Sequence, residues 1–172
     1  MAANELDDRW LVQAYRYLYA AHTLLHSKEY RSSPALFTPT LHLTAHGIEL
    51  LLKANLLLGG MTIAQLKGDL GHDIRALWEH ELSGRVRDEA ESIAVAVWES
   101  AQSNEKYVGD FGVDPKLLLR EYLFALSDLH TRTTQYALRY VAEDSMVAPR
   151  PFFLTETFFS LSDMHLRRFH SV

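Results

Sequence analysis

Apolar residues recur at three- and four-residue spacing along most of this chain, which is the period of helices that bury one face. In the first such segment the apolar positions run from Trp10 to Leu25. Asn4 precedes them among acidic residues, and asparagine is a common helix cap. The pattern predicts a first helix that begins near Asn4 and ends before Pro34, where a break is expected.

The second predicted helix is the most apolar segment of the chain. It starts at Thr38-Pro39, because proline is well tolerated in the first turn of a helix, and it ends at Gly59-Gly60. Leucine, isoleucine and alanine cover most of its circumference. Such a helix usually lies at the centre of a bundle.

Three more helices are predicted beyond it, over about residues 72–82, 85–103 and 114–142. The segment 152–159 is rich in aromatic and β-branched residues, which suit a strand as well as a helix, and we predict a helix there. The expected fold class is all-α, an antiparallel up-and-down helical bundle of four to five main helices plus short connecting helices.

Two regions are expected within the chain. Residues 1–144 would form the bundle, and residues 145–172 a C-terminal loop and short helix that docks on the bundle or on a dimer partner. Four phenylalanines in this second region would form an exposed apolar patch if they did not dock. We therefore expect them to help form a homodimer: Phe152, Phe153, Phe158 and Phe159.

Composition narrows the class of protein. The 172 residues contain no cysteine, so neither disulfides nor thiolate zinc sites are expected. A net charge of −5 argues against a protein that reads a DNA groove or grips nucleic acid through a broad basic face. The acidic N-terminus and the charged residues within the longest apolar run, 48–58, predict a cytoplasmic protein with no membrane contact.

The second predicted helix carries one polar stripe. His42, His46, Glu49 and Lys53 follow one another at spacings of four, three and four residues, which places them on the same side of a helix. The stripe is either a solvated edge with a Glu49–Lys53 pair or a polar seam inside the bundle.

A second polar motif opens the next helix. Gly71-His72-Asp73 follows a glycine-rich connection, so its side chains lie near free backbone N–H groups. Such a position suits a bound anion. It also suits a structural cap, the commoner use of such a position, in which Asp73 accepts the N–H groups and His72 packs on the preceding helix.

Together, the Glu49-x3-Lys53 and Gly71-His72-Asp73 motifs resemble the HEPN superfamily of helical bundles. Tyr136-x2-Arg139-Tyr140 is similar to that family's later motif, and the resemblance spans about residues 5–142. It implies an up-and-down bundle, frequent dimerisation and, in some branches, metal-independent RNA cleavage.

The leading hypothesis is therefore a nucleotide- or RNA-associated binding or regulatory module without a cofactor, in a defence or toxin–antitoxin system. An antitoxin or a nucleotidyltransferase would be its protein partner. The expected polar seam comprises Glu49, Lys53, His72, Asp73 and Arg139.

Two arrangements of that seam stay open. Lys53, His72 and Arg139 would bind an anionic group if their helices pack side by side. Alternatively, Glu49 would pair with Arg139 across the core and fix the helix register without any ligand.

A ribonuclease is the first alternative function. The family's cleavage activity uses an arginine that holds phosphate and a histidine, four to six residues later, that moves a proton. Arg75 and His80 match this spacing and are the candidate catalytic pair, and Arg16 and His22 match it as well. The residue after Arg75 is alanine, where the family usually has a polar residue.

A metal-binding bundle is the second alternative. His42, His46 and Glu49 have a spacing compatible with coordination from one helix, completed by His130 or His72. Bundles do build metal sites from inward histidines and carboxylates.

Overall fold

The computed structural model describes residues 3–103, 112–131, 136–138 and 148–170. These residues form α-helices joined by short 3-10 and π-helical turns, with no strand among them, so the predicted all-α class is confirmed. Five of the helices have 16 or more residues. The helices are α1 Ala3–His26, α2 Lys28–Ser32, α3 Phe37–Leu58, α4 Ile63–Gln65, α5 Ile74–Glu79, α6 Gly84–Gln102, α7 Pro115–His130 and α8 Pro151–His170.

Helix α3 lies at the centre, as its apolar sequence predicts. Twelve of its 22 residues are buried, and it packs against α1, α5, α7 and α8. Its closest partner is α1, because Gly47 has no side chain to hold the two helices apart. A Cβ atom at Gly47 would lie 2.6 Å from Leu18 Cγ.

Helix α8 is longer than the short C-terminal helix expected, and it confirms that 152–159 is helical. It packs mainly against α1 and α6. Phe153 and Phe158 are fully buried, and Phe152 and Phe159 are half-buried against the same core. The four phenylalanines therefore dock on their own bundle. The homodimer remains a prediction.

The prediction of one helix over 114–142 is wrong at its C-terminal end. Asp114 caps the start as expected, but α7 ends at His130. Thr131 is extended, and Tyr136 has a positive φ of 55°. Threonine favours helix interiors poorly because it is β-branched and hydrogen-bonds nearby backbone, and the sequence has three threonines between 131 and 134. This early end makes His130 the last residue of α7.

Across the described residues, every helix is too short or too polar to traverse a bilayer.

Candidate functional site

A buried carboxylate lies in the core of the bundle. Glu49 is only 1% exposed, and both of its oxygens accept hydrogen bonds. Lys53 Nζ lies 2.7 Å and His72 Nδ1 3.0 Å from Oε1, while His130 Nε2 lies 2.8 Å from Oε2. His46 Nδ1 is 3.7 Å from Oε2. We call these five residues the Glu49 centre.

Three elements bring the Glu49 centre together. Helix α3 supplies Glu49 and, one turn later, Lys53. The turn before α5 supplies His72, and the last residue of α7 is His130. The polar stripe on α3 is thus turned inward, as the seam interpretation predicts, and the Gly-His-Asp turn does meet it.

The Glu49 carboxylate is held in its ionised form. Burial alone raises its pKa, but the interactions with His130, His46 and Lys53 outweigh burial and lower the pKa of Glu49 well below its usual range. An ionised carboxylate can only accept hydrogen bonds, so His72 donates through Nδ1 and His130 through Nε2. The histidine tautomers follow from the charge on Glu49.

Exposure differs sharply within the Glu49 centre. The side chains of Lys53 and His130 are almost wholly buried, whereas that of His72 is 48% exposed. The side chain of His46 is 27% exposed, so His72 is the most exposed member of the Glu49 centre. The ring of Tyr136 stands edge-on to the ring of His72, with centroids 6.4 Å apart.

Part of the predicted metal-binding set comes together in the structure. The ligand atoms of His46, Glu49 and His130 all lie within 4.8 Å of one another, and Nδ1 of His46 is buried without a hydrogen-bond partner among the described residues. His42 is not one of the three, and its ring centroid lies 6.1 Å from that of His130. The ammonium of Lys53 binds the same carboxylate, and its positive charge opposes a cation there.

Asp73 is not a member of the Glu49 centre. Its Oδ1 accepts hydrogen bonds from the Ala76 N–H and from Ser127 Oγ, so it caps α5 and ties that helix to α7. This is the arrangement that the capping interpretation predicts. Arg139, the remaining member of the expected seam, lies outside the described residues.

The two residues of the candidate catalytic pair, Arg75 and His80, bind different partners. The Arg75 guanidinium lies 3.2 Å from Asp128 and 4.5 Å from the centre of the Phe124 ring. His80 Nδ1 accepts the Leu82 N–H and caps the next turn. No hydrogen bond within the described part of the chain links Arg75 to His80.

The sequence predicts His130 only as a possible metal ligand and does not connect it with the polar seam. No local signal marks it, because its place beside Glu49 depends on where α7 ends. Another group that was missed joins α6 to α8, where Glu89 binds His165 and Arg168 at 2.6 Å each. Burial raises the pKa of Glu89, yet Arg168 and His165 outweigh burial and lower it.

Comparisons with protein-family models, with curated proteins and with solved structures gave no match to this chain. The resemblance to the HEPN superfamily therefore rests on the motifs quoted above.

Proposed function

We propose that the chain is a HEPN-like helical bundle that binds a phosphate-bearing ligand, a nucleotide or RNA, with His72 as the residue that contacts it. The observation that carries the proposal is the meeting of Glu49 and Lys53 on α3 with His72 of the Gly-His-Asp turn. Those residues belong to the two motifs on which the family resemblance rests.

His72 has the environment of a phosphate-contacting group. Its Nδ1 is hydrogen-bonded to Glu49. The ring is half-exposed, so Nε2, on its opposite edge, is the nitrogen with which a ligand would interact. When the ring is protonated, Nε2–H can donate to a phosphate oxygen, and such charge-assisted bonds are the strong ones.

Tyr136 supplies a second feature of the same surface. A positive φ at a residue other than glycine is uncommon, and strained backbone of this kind concentrates at functional sites. The Tyr136 ring lies beside that of His72, and aromatic rings are groups on which nucleic-acid bases stack. A phosphate contact next to a stacking ring fits a nucleotide unit.

The charges of the site limit the kind of ligand. Lys53 is buried and already paired with Glu49, and the whole chain has a net charge of −5. Few phosphates can therefore be neutralised at once, and we expect binding of a nucleotide or short single strand with a shallow salt dependence.

The test compares wild-type protein with His72→Ala in binding ATP and a labelled single-stranded RNA. We expect the substitution to weaken binding about tenfold or more, because a hydrogen bond to a charged group contributes about 1.5–3 kcal/mol. His80→Ala is the matched control, since it removes a histidine outside the Glu49 centre. Absence of binding by the wild type, or equal binding by His72→Ala, would reject the proposal.

The same samples separate the alternatives. RNA cleavage that His80→Ala abolishes would replace the binding module with the ribonuclease. A stoichiometric metal that is lost in His46→Ala would favour the metal-binding bundle. The observation that supports this alternative is the convergence of His46, Glu49 and His130. The homodimer and the antitoxin or nucleotidyltransferase partner belong to the proposal through the family resemblance alone.

A further inference from the structure

A second histidine–glutamate cluster lies between α1 and α8, away from the Glu49 centre. His22 and His26 are one turn apart on α1, and both point at Glu156 of α8. His22 Nδ1 lies 3.0 Å and His26 Nε2 2.8 Å from the same oxygen, Oε1 of Glu156. The three ligand atoms lie within 4.8 Å of one another.

We propose that His22, His26 and Glu156 bind a divalent transition-metal ion, with Zn²⁺ as the ion that best suits two imidazoles and a carboxylate. We call this the α1–α8 site.

The spacing of the ligand atoms suits this ion. Zinc bonds of about 2.0–2.2 Å at tetrahedral angles require ligand atoms about 3.4 Å apart. The two nitrogen–oxygen separations are a few tenths of an ångström shorter, so small side-chain rotations open the space for the ion. Histidines at i and i+4 share one helix face, which is the spacing used by two histidines that chelate zinc from a helix.

The electrostatic surroundings favour a cation more than those of the Glu49 centre do. Within the described residues, His22 and His26 are the only side chains seen bonded to the Glu156 carboxylate. By contrast, the Glu49 carboxylate already binds the ammonium of Lys53 at 2.7 Å. Glu156 therefore offers its negative charge to an ion without displacing a lysine or arginine.

Packing orients the ligands and leaves one side open. The ring of Phe159 stacks on that of His22, with centroids 4.3 Å apart and planes 20° apart, which restricts the imidazole. The side chain of His26 is 51% exposed. Three protein ligands beside solvent leave a fourth coordination position for water, as in open zinc sites.

A bound ion would join the first long helix to the last. Because binding to the folded state alone stabilises it by mass action, the melting temperature should rise with zinc concentration. Loss of this rise in Glu156→Gln would assign the bound ion to the α1–α8 site.

The experiment uses tag-free protein that has been stripped with EDTA, dialysed and titrated with ZnCl₂ in a calorimeter. We expect one ion per chain, with affinity at least about tenfold weaker in His26→Ala and in Glu156→Gln. Zinc should raise the melting temperature of the wild type and not that of Glu156→Gln. Co²⁺ in place of Zn²⁺ should give the visible absorption of a tetrahedral site.

The matched control is His46→Ala, which removes the corresponding histidine of the Glu49 centre. It should bind zinc as the wild type does. Three results would overturn the proposal: no binding by the wild type at micromolar zinc, unchanged binding by His26→Ala and Glu156→Gln, or loss of binding in His46→Ala. Because His26 is largely exposed, its variant should fold, and melting without zinc checks this.

Discussion

At the scale of single residues, Glu49 is a charged side chain that is almost fully buried. A carboxylate that is removed from water must be paired and hydrogen-bonded, or the folded state pays a penalty of several kcal/mol. Lys53, His72 and His130 together meet this requirement, and they come from three different elements. Glu49 therefore links those elements to one another through its hydrogen bonds.

Lys53→Met should destabilise the protein by about 3 kcal/mol, because it leaves a buried negative charge with histidine partners alone. Urea unfolding measures the change in the free energy of unfolding. Lys116→Met is the matched control, since Lys116 also pairs with a glutamate, at 3.1 Å from Glu91, but is 57% exposed. The control should cost less than about 1 kcal/mol. Equal effects of the two substitutions would contradict the role given to Lys53.

The acid dependence of stability should also trace to Glu49. Its pKa is lowered in the folded state, so its contribution is complete above the ordinary value of 4.5 and is lost as the pH falls toward the lower folded pKa. The free energy of unfolding, measured by urea from about pH 6 to about pH 3, should fall less steeply in Glu49→Gln than in the wild type. The exposed Glu81→Gln is the control, and a slope in Glu49→Gln equal to the wild type's would refute the assignment.

At the scale of elements, the sequence predicts best where the apolar period is long and uninterrupted. The bounds of α3 and α6 follow from that period to within about two residues, whereas α1 ends at His26, several residues before the break expected at Pro34. The period alone does not say whether the polar stripe on α3 faces water or the interior, because both arrangements leave the apolar face in the core. The packing of α3 against α5 and α7 determines that the stripe faces the interior.

The end of α7 shows why the sequence alone does not predict that His130 lies beside Glu49. Apolar spacing continues past residue 130 and favours a longer helix, but the extended backbone at Thr131 ends it. The residue at that end, His130, is hydrogen-bonded to Glu49, 81 residues away in sequence. No pattern within one helix contains that information.

Gly47 tests the packing of α1 on α3. Gly47→Ala should destabilise the protein by about 1–3 kcal/mol, because the new methyl group meets Leu18 and forces the helices apart. Gly84→Ala is the control, since Gly84 also has helical backbone but only the end of the Arg87 side chain nearby, at 3.9 Å. There we expect a gain of up to about 1 kcal/mol from reduced flexibility of the unfolded chain. Thermal melts compare the two, and a harmless Gly47→Ala would refute the close contact.

At the scale of the whole molecule, polar clusters join helices that are far apart in sequence. The Glu49 centre joins α3, α7 and the turn before α5, and the α1–α8 site joins the first helix to the last. Helix α8 buries its phenylalanines against α1 and α6. The C-terminal region is consequently part of the same core as the rest of the bundle.

Association into a homodimer is the expectation at this scale that follows from the family resemblance. Light scattering on a sizing column should give twice the 19.7 kDa of one chain. A mass of one chain at all concentrations would remove the dimer from the proposal. The proposed binding of a ligand at His72 does not depend on this result.

The central claim is that His72, held by Glu49, contacts a phosphate-bearing ligand. Nitrogen NMR of protein labelled at its histidine rings tests it most directly, because each ring nitrogen reports its own proton and partner. On addition of ATP or single-stranded RNA, the Nε2 signal of His72 should shift while those of His22 and His26 stay unchanged. Binding that leaves the His72 ring signals unmoved would contradict the account.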